Sequence, residues 1–394
     1  MKIAQLITRR ELRGAEVGAA DLCRSLTQRG HEVSLLGLFS PLDWDDAEHL
    51  GRDLPHVADL TGRKTRGVRW SVLSALIKSL SSFRPDIVQA NAFNALKYAA
   101  ISKLVSRAKW PLIYRNVGQA GLWITRPGQR LWGRLLLRQV DRVISVSDAS
   151  RQDFSKTYRI PENEIVVMNQ GVVVPRKLTK QQWKQKLLDK IACPDNCHLL
   201  VHVGSFSQEK NHLGLLHAFA RTRKDHPNTR LILIGDGPLR NRIENNVATL
   251  HLSPHVHFLG AHPQAADLAG GADIMLISSH IEGIPGVLLE ACARALPVIS
   301  TDVGGISSII QNRHNGILVP AGDMVTLGME TVNLLGNPAL REQLGQKAHE
   351  LIRETNDMEK FVDHYESIYH ALATGVQGTT PAATFAPTAL QEPD

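Results

Sequence analysis

"HIEGIPGVLLEACARALPVIST", residues 280–301, sets Glu282 and Glu290 eight positions apart across a Gly-Ile-Pro-Gly hinge. Pro285 suits the first turn of a helix, where its missing N–H costs nothing. A short helix is therefore predicted from the hinge, with Glu282 at its mouth and Glu290 one turn inside. Beyond it, 297–301 reads as a buried strand. Glycines on either side of Pro285 let backbone approach a ligand closely. Free amides at 283–287, with the positive end of the helix dipole, suit an anion or a polarised hydroxyl.

Working outward, short apolar runs alternate with helical patterns along the whole chain. Strands are predicted at 1–7, 31–39, 86–91, 111–116, 142–147 and 164–169. The rhythm restarts at 198–205, 230–237, 255–260, 273–278, 297–301 and 316–320. Such alternation specifies parallel sheets covered on both faces. The stretch 170–183, QGVVVPRKLTKQQW, breaks the period, so a domain boundary is placed near 172–185. The expected fold is α/β, two tandem doubly wound Rossmann-like domains at 1–172 and 173–355 facing a central cleft. Ligands of such sheets bind beyond the carboxyl ends of the strands. A last helix at 356–373 carries Phe361, Val362, Tyr365, Ile368, Tyr369 and Leu372 on one face and is expected to pack back across the boundary. Residues 374–394, rich in Thr, Ala and Pro, read as a disordered tail.

Glu290 lies ~6–8 Å along the helix axis from the hinge, at ~1.5 Å per residue. That is about the reach from a sugar across a diphosphate to a ribose. The simpler alternative is a loop cap and a solvated helix acid. The hinge and the following buried strand favour the pair holding both ends of one nucleotide-sugar.

Composition describes an ordinary globular chain of 394 residues, 43% hydrophobic and 21% charged. No apolar run approaches a membrane span, and MKIAQLITRREL lacks a signal-peptide pattern, so a cytoplasmic chain is expected. Residues 1–172 hold 26 Lys and Arg against 16 Asp and Glu, a net of +10. The remainder, with 19 against 22, is −3. A solvated basic surface is one account of that asymmetry; an anionic partner for the N-terminal half is the other. A chain-wide nucleic-acid binder would spread its charge, so none is expected.

EGIPGVLLEACARALPVISTDVGGISSII followed by NGILVPAGD resembles the donor-site signature of the family 4 type retaining glycosyltransferases, which have the two-domain GT-B fold. VGSFSQEKNHLGLLHAFA and LILIGDGPLRNRIE resemble other donor-domain segments of that family, and RGAEVGAADLCRSLTQRGHEV its N-terminal loop and helix. The resemblance spans about 1–372 and is strongest in the C-terminal half. It implies that Glu282 contacts the donor sugar and Glu290 the ribose hydroxyls. Gly283, Ile284 and Gly286 line the sugar and β-phosphate, and Lys210 binds the diphosphate. A fixed cation there would stabilise charge developing on the leaving group.

Ser205 stands where many members have an arginine, and Arg13 before Gly14 where many have a second glycine. Gly14, Gly235 and Gly237 are expected to let backbone approach the donor; a plain strand-to-helix turn is the alternative for Gly235 and Gly237. The family's N-terminal histidines are replaced by Gln89, Asn91 and the Arg115-Asn116 pair. Asn91, Arg115, Asn116 and Arg13 are taken as acceptor contacts. An asparagine cannot act as a general base at neutral pH. The family implies a retaining reaction on one face of the sugar, with the leaving diphosphate oxygen taking the acceptor proton.

The resemblance implies a transferase moving sugar from a UDP- or GDP-sugar to a lipid-linked or polysaccharide acceptor in bacterial surface polysaccharide synthesis. The alternatives are a catalytically weak nucleotide-sugar binding protein of an assembly complex and a nucleotide-sugar epimerase. Neither metal nor cofactor is expected: Cys193, Cys197 and His198 lack a second ligand pair at zinc spacing. Four cysteines make no disulfide framework. Arg130, Arg134 and Arg138 recur every four residues, with Trp132, Leu135 and Leu136 between them and Trp123 upstream. That pattern suits either a core helix with a basic face or one resting on the anionic inner face of the cell membrane.

Overall fold

The computed structural model describes residues 1–11, 14–41, 50–60, 67–118, 120–122, 124–177, 179–194 and 196–375. Arg13, Trp123 and nearly all of the expected tail lie outside them. The chain divides into two compact units, Met1–Gly171 with the segment from Met358, and Val172–Asp357.

The first unit is built on seven parallel strands. They are β1 (Lys2–Ile7), β2 (Glu32–Gly37), β3 (His56–Asp59), β4 (Ile87–Asn91), β5 (Leu112–Asn116), β6 (Arg142–Ser145) and β7 (Ile165–Val167). Their order across the sheet is β3-β2-β1-β4-β5-β6-β7. β4 and β5 are buried at every residue, as strands covered on both faces must be. One face packs against the helices Trp70–Phe83, Ala92–Ser106, Pro127–Leu137 and Asp148–Tyr158, around Leu73, Leu96, Leu136 and Phe154. The other face packs against Gly14–Gln28 and the C-terminal helix Met358–Thr374, around Ile3, Leu22, Ile113 and Tyr365. β3 is an addition to the sequence reading. At the sheet edge His56 and Ala58 are exposed and Val57 and Asp59 half-buried, so its four residues carry no apolar run.

The C-terminal helix buries Phe361, Val362, Tyr365 and Tyr369, while Ile368 and Leu372 pack partly against the same core. On its outer side Arg29 pairs with Glu359, Asp363 and Glu366, the last also meeting His31 Nε2 at 2.8 Å. Beneath it lies a closed ring of buried polar groups. Gln5 Nε2 donates to Tyr369 Oη (2.9 Å), Tyr369 Oη donates to Gln89 Oε1 (2.8 Å), Gln89 Nε2 donates to Asn91 Oδ1 (3.2 Å), and Asn91 Nδ2 donates to Gln5 Oε1 (2.9 Å). Each donor has a nearby acceptor, which is what makes burial of four polar side chains tolerable.

The second unit has six parallel strands, β8 (His198–Val203), β9 (Thr229–Ile234), β10 (Val256–Gly260), β11 (Ile274–Ile277), β12 (Val298–Thr301) and β13 (Ile317–Val319). They run in the order β10-β9-β8-β11-β12-β13. Every strand expected from the sequence is present in both units. The order reverses between β8 and β11, and at such a switch point the loops leaving the strands part to form a crevice. Cys193 and Cys197 are joined by a disulfide, a single short staple where the sequence reading expected none.

Candidate functional site

At the switch point of the second unit, β8 and β11 send their following loops toward each other. From β8 the chain runs through Gly204 and Ser205 to a single turn, Gln208–Lys210, and then the helix His212–Asp225. From β11 it runs through Ser278 and Ser279 to Glu282. The loops are stitched by Ser278 Oγ donating to the Lys210 carbonyl (2.9 Å) and the His280 amide donating to the Glu209 carbonyl (2.7 Å). These bonds bring Lys210 Nζ to 2.6 Å from Glu282 Oε1. The lysine side chain is 18% exposed and the glutamate 9%. Ser279 Oγ donates to the same carboxylate oxygen at 2.6 Å, and Thr301 Oγ1, from the end of β12, fixes the Ser279 carbonyl at 2.7 Å.

The hinge after Glu282 leads into the helix Gly286–Ala293, with Pro285 in the flanking position and no side chain capping the start. Its first amides therefore have no helical acceptor. Gly283 is exposed, and Ile284 and Gly286 are half-buried. Glu290 is half-buried within the helix. The neighbouring Cys292 thiol is pushed up to about 12 by burial and offers no nucleophile.

The loop after β12 holds the hinge in place. The Gly305 amide donates to the Gly283 carbonyl at 2.9 Å. Gly304 has φ +61°, and a Cβ there would overlap the Glu282 carbonyl oxygen. A Cβ on Gly305 would come within 2.7 Å of Ile284 Cγ1. Ser279, Thr301, Gly304 and Gly305 were not singled out in the sequence. The signals were there, a Ser-Ser pair closing a strand and a Val-Gly-Gly closing the next one.

The other donor-side expectations fare differently. Ser205 is exposed, with Oγ 3.2 Å from Ser207 Oγ. Gly235 has φ +141°, and its missing Cβ leaves room for the Gly204 carbonyl; a Cβ on Gly237 would come within 2.7 Å of the Phe206 amide nitrogen. These two glycines seat protein backbone on protein backbone. Beside them Arg240 is held by Asp236 (3.0 Å) and Glu244 (2.8 Å) and lies over the Phe206 and Phe258 rings. Beneath the Lys210 loop His202 and His212 stack edge to face at 4.7 Å. His202 Nδ1 donates to the Leu276 carbonyl (2.8 Å), which leaves Nε2 as the unprotonated nitrogen. Burial pushes His202 down to about 4 and His212 to about 2.

In the first unit the expected acceptor contacts turn inward. Asn91 is 2% exposed and its amide is consumed by the polar ring and the Leu6 carbonyl. Asn116 donates to Ser145 Oγ and the Ser150 carbonyl, both at 3.3 Å. Arg115 is 1% exposed, its guanidinium facing the Phe361 ring at 5.9 Å. Alternation along a buried strand points these side chains into the layers, so a strand-end position alone did not make them accessible. Gly14 begins the helix Gly14–Gln28 and is exposed; Arg13 lies outside the described residues. Among the described residues no group of three or more His, Cys, Asp or Glu is placed to hold a metal ion.

Comparison with known proteins follows the division into units. Residues 183–351 match the model of "Glycosyl transferases group 1", and residues 12–176 that of "Glycosyltransferase Family 4". A stretch of 172 residues is 36% identical to N-acetyl-alpha-D-glucosaminyl L-malate synthase of Bacillus anthracis, covering 44% of this chain and 45% of that one. Another, of 176 residues, is 29% identical to the lipopolysaccharide core biosynthesis glycosyltransferase LpsD of Rhizobium meliloti, covering 45% and 50%. The chain thus spans about half the length of these curated relatives. Among solved structures, Anabaena HepE in complex with UDP-glucose superposes with a TM-score of 0.80 at 20% identity, covering 94% of this chain and all of that one. At that identity the likeness establishes the fold.

Proposed function

Since the chain belongs to the family 4 glycosyltransferases, with their GT-B fold, we propose that it moves a sugar from a UDP- or GDP-sugar to a lipid-linked or polysaccharide acceptor, with retention at the anomeric carbon. The observation that carries this reading is the Lys210–Glu282 pair, set at the switch point beside an uncapped helix start. The N-terminal unit takes the acceptor. In the second unit Glu282 accepts hydrogen bonds from the sugar hydroxyls and Glu290 from the ribose. The backbone at Gly283, Ile284 and Gly286, together with Lys210, cradles the diphosphate. As the glycosidic bond breaks, negative charge gathers on the β-phosphate, where Lys210 and the helix dipole oppose it. The leaving oxygen takes the proton of the incoming acceptor hydroxyl on the same face. No side chain serves as base, and neither metal nor cofactor is required.

This reading is supported by relatives named as a lipopolysaccharide core biosynthesis glycosyltransferase and an exopolysaccharide phosphotransferase and by a structural neighbour solved in complex with UDP-glucose. A panel of UDP- and GDP-sugars tests it, read by thermal stabilisation and by mass spectrometry of slow donor hydrolysis. One donor should stabilise the protein and release its nucleoside diphosphate. Silence with every donor would overturn the proposal. A second reading, a nucleotide-sugar binding protein with little turnover, draws on Ser205 standing exposed where the family places a second cation. Tight donor binding with no product against any acceptor extract would select it. Inversion at C2 of the free UDP-sugar would indicate an epimerase instead.

A further inference from the structure

We infer that the outer face of the helix Pro127–Leu137 seats the protein on an anionic lipid surface. The inner side of this helix is pinned to its unit. Leu136 and Leu137 are buried in the core, and Gly133 is packed against the Tyr158 ring so closely that a Cβ would overlap it. Arg134, which the sequence grouped with Arg130 and Arg138, is drawn inward and donates through Nε to the Tyr158 carbonyl at 2.8 Å.

Among the described residues the outer side is left open. Leu131 is 60% exposed, Trp132 44% and Leu135 43%. At 100° per residue these three fall within one arc of about 100°. Arg138 borders that arc, Arg130 lies about 100° from it toward the buried side, and Arg126 precedes the helix; all three are exposed. Leu136, named with Trp132 and Leu135 in the sequence pattern, is buried, and Leu131 is exposed beside them.

Three large apolar side chains in one exposed arc are not needed for folding, since burying them would have been favourable. Charge selects the occupant. Residues 124–142 contain five arginines and one acid, Asp141, and Asp141 is already paired with Lys103 at 2.6 Å. Residues 1–171 carry a net of +10 and the segment from Met358 a net of −4, which leaves the unit as a whole at +6. A bilayer with anionic headgroups accepts both features together: leucine and tryptophan enter the headgroup and acyl boundary while arginines meet phosphates. Among the described residues no helix is long and apolar enough to cross a membrane, so the contact is lateral. Each arginine near such a surface contributes roughly fivefold in partitioning, an attraction that weakens as salt screens it. The inference concerns the first unit alone and does not depend on the proposed transfer reaction.

Co-sedimentation of the full chain with vesicles tests it, using phosphatidylglycerol mixed into phosphatidylethanolamine against phosphatidylcholine alone. The protein should pellet with the anionic vesicles at low salt, at least ~10-fold more than with the neutral ones, and should release as salt is raised. L131S/W132S/L135S and R126E/R130E/R138E should each lose that binding. Both sets lie on the surface, so their melting curves and UDP binding should match the parent. The inference is overturned if the parent ignores anionic vesicles at low salt, or if the apolar triple variant binds as the parent does. It is equally overturned if the parent is a dimer in solution that the apolar variant splits while vesicles leave it unbound, for then the face joins two copies of the chain.

Discussion

Lys210 and Glu282, 72 positions apart in sequence, meet at 2.6 Å with most of both side chains covered. Each is thus the counter-charge of the other. On the proposed function, a diphosphate competes with Glu282 for the ammonium, and sugar hydroxyls compete with Lys210 for the carboxylate. Ser279 keeps the carboxylate oriented through the exchange.

Lys210→Met should therefore weaken UDP binding by ~10-fold or more, since a hydrogen bond to a charged group is worth about 1.5–3 kcal/mol. Calorimetric titration measures it. The double variant Lys210→Met/Glu282→Gln should recover part of the stability lost in the single variant, because no lone charge then remains half-covered. Unchanged UDP affinity in Lys210→Met would remove the lysine from the site.

Glu290→Ala should weaken UDP and its sugar conjugates by the same factor, as expected of a group that holds ribose and not sugar. A loss confined to the sugar conjugates would reassign it.

Gly304→Ala combines a left-handed backbone with a clash against the Glu282 carbonyl. A cost of ~1–3 kcal/mol is expected, together with a larger relative loss of donor turnover than of nucleotide binding, because the displaced segment is the hinge proposed to line the sugar. Chemical denaturation and donor hydrolysis read the two effects. A variant with parental turnover would show that the hinge tolerates the shift.

Tyr369→Phe breaks the polar ring at its one hydroxyl and strands the Gln5 amide and the Gln89 carbonyl inside the first unit. A buried group left without its partner costs about 1–3 kcal/mol. The melting temperature should fall while donor binding, in the other unit, stays as it was.

Acid sensitivity should localise to His202 and His212. Their folded-state values lie below the ordinary imidazole value of 6.5, at about 4 and about 2, with desolvation the leading cause. Above that ordinary value both states are neutral and neither histidine affects stability. As pH falls through 6.5 the unfolded chain binds protons that the folded chain refuses, so stability declines until His202 titrates near 4, where its share of the loss levels off. His202→Phe should flatten the decline over that window, seen as a smaller pH dependence of the denaturation midpoint. An unaltered slope would mean that other groups govern it.

Much of this was legible in the amino-acid order. Parallel strands buried on both faces leave unbroken apolar runs, and β4, β5, β8, β9 and β11 were readable for that reason. The proline hinge before Gly286 likewise announces its helix. What stayed hidden depends on rotation about a strand axis and on distant neighbours. Asn91 and Arg115 end their strands where ligands commonly bind, yet the ring with Tyr369 and the packing around Phe361 come from residues more than 200 positions away. That Gly235 and Gly237 make room for the backbone of Gly204 and Phe206 is likewise invisible in the order of residues.

Met358–Thr374 completes the first unit although the whole second unit, Val172–Asp357, is translated before it. During synthesis the sheet face carrying Ile3, Ile87 and Ile113 emerges without the side chains that finally cover it, at roughly 5–20 residues per second. The second unit can close while the first still waits for its last helix. Order of birth and order of completion are therefore reversed, and a ribosome stalled before codon 358 would hold a finished C-terminal unit beside an N-terminal one with an open, sticky face for holdase chaperones to find.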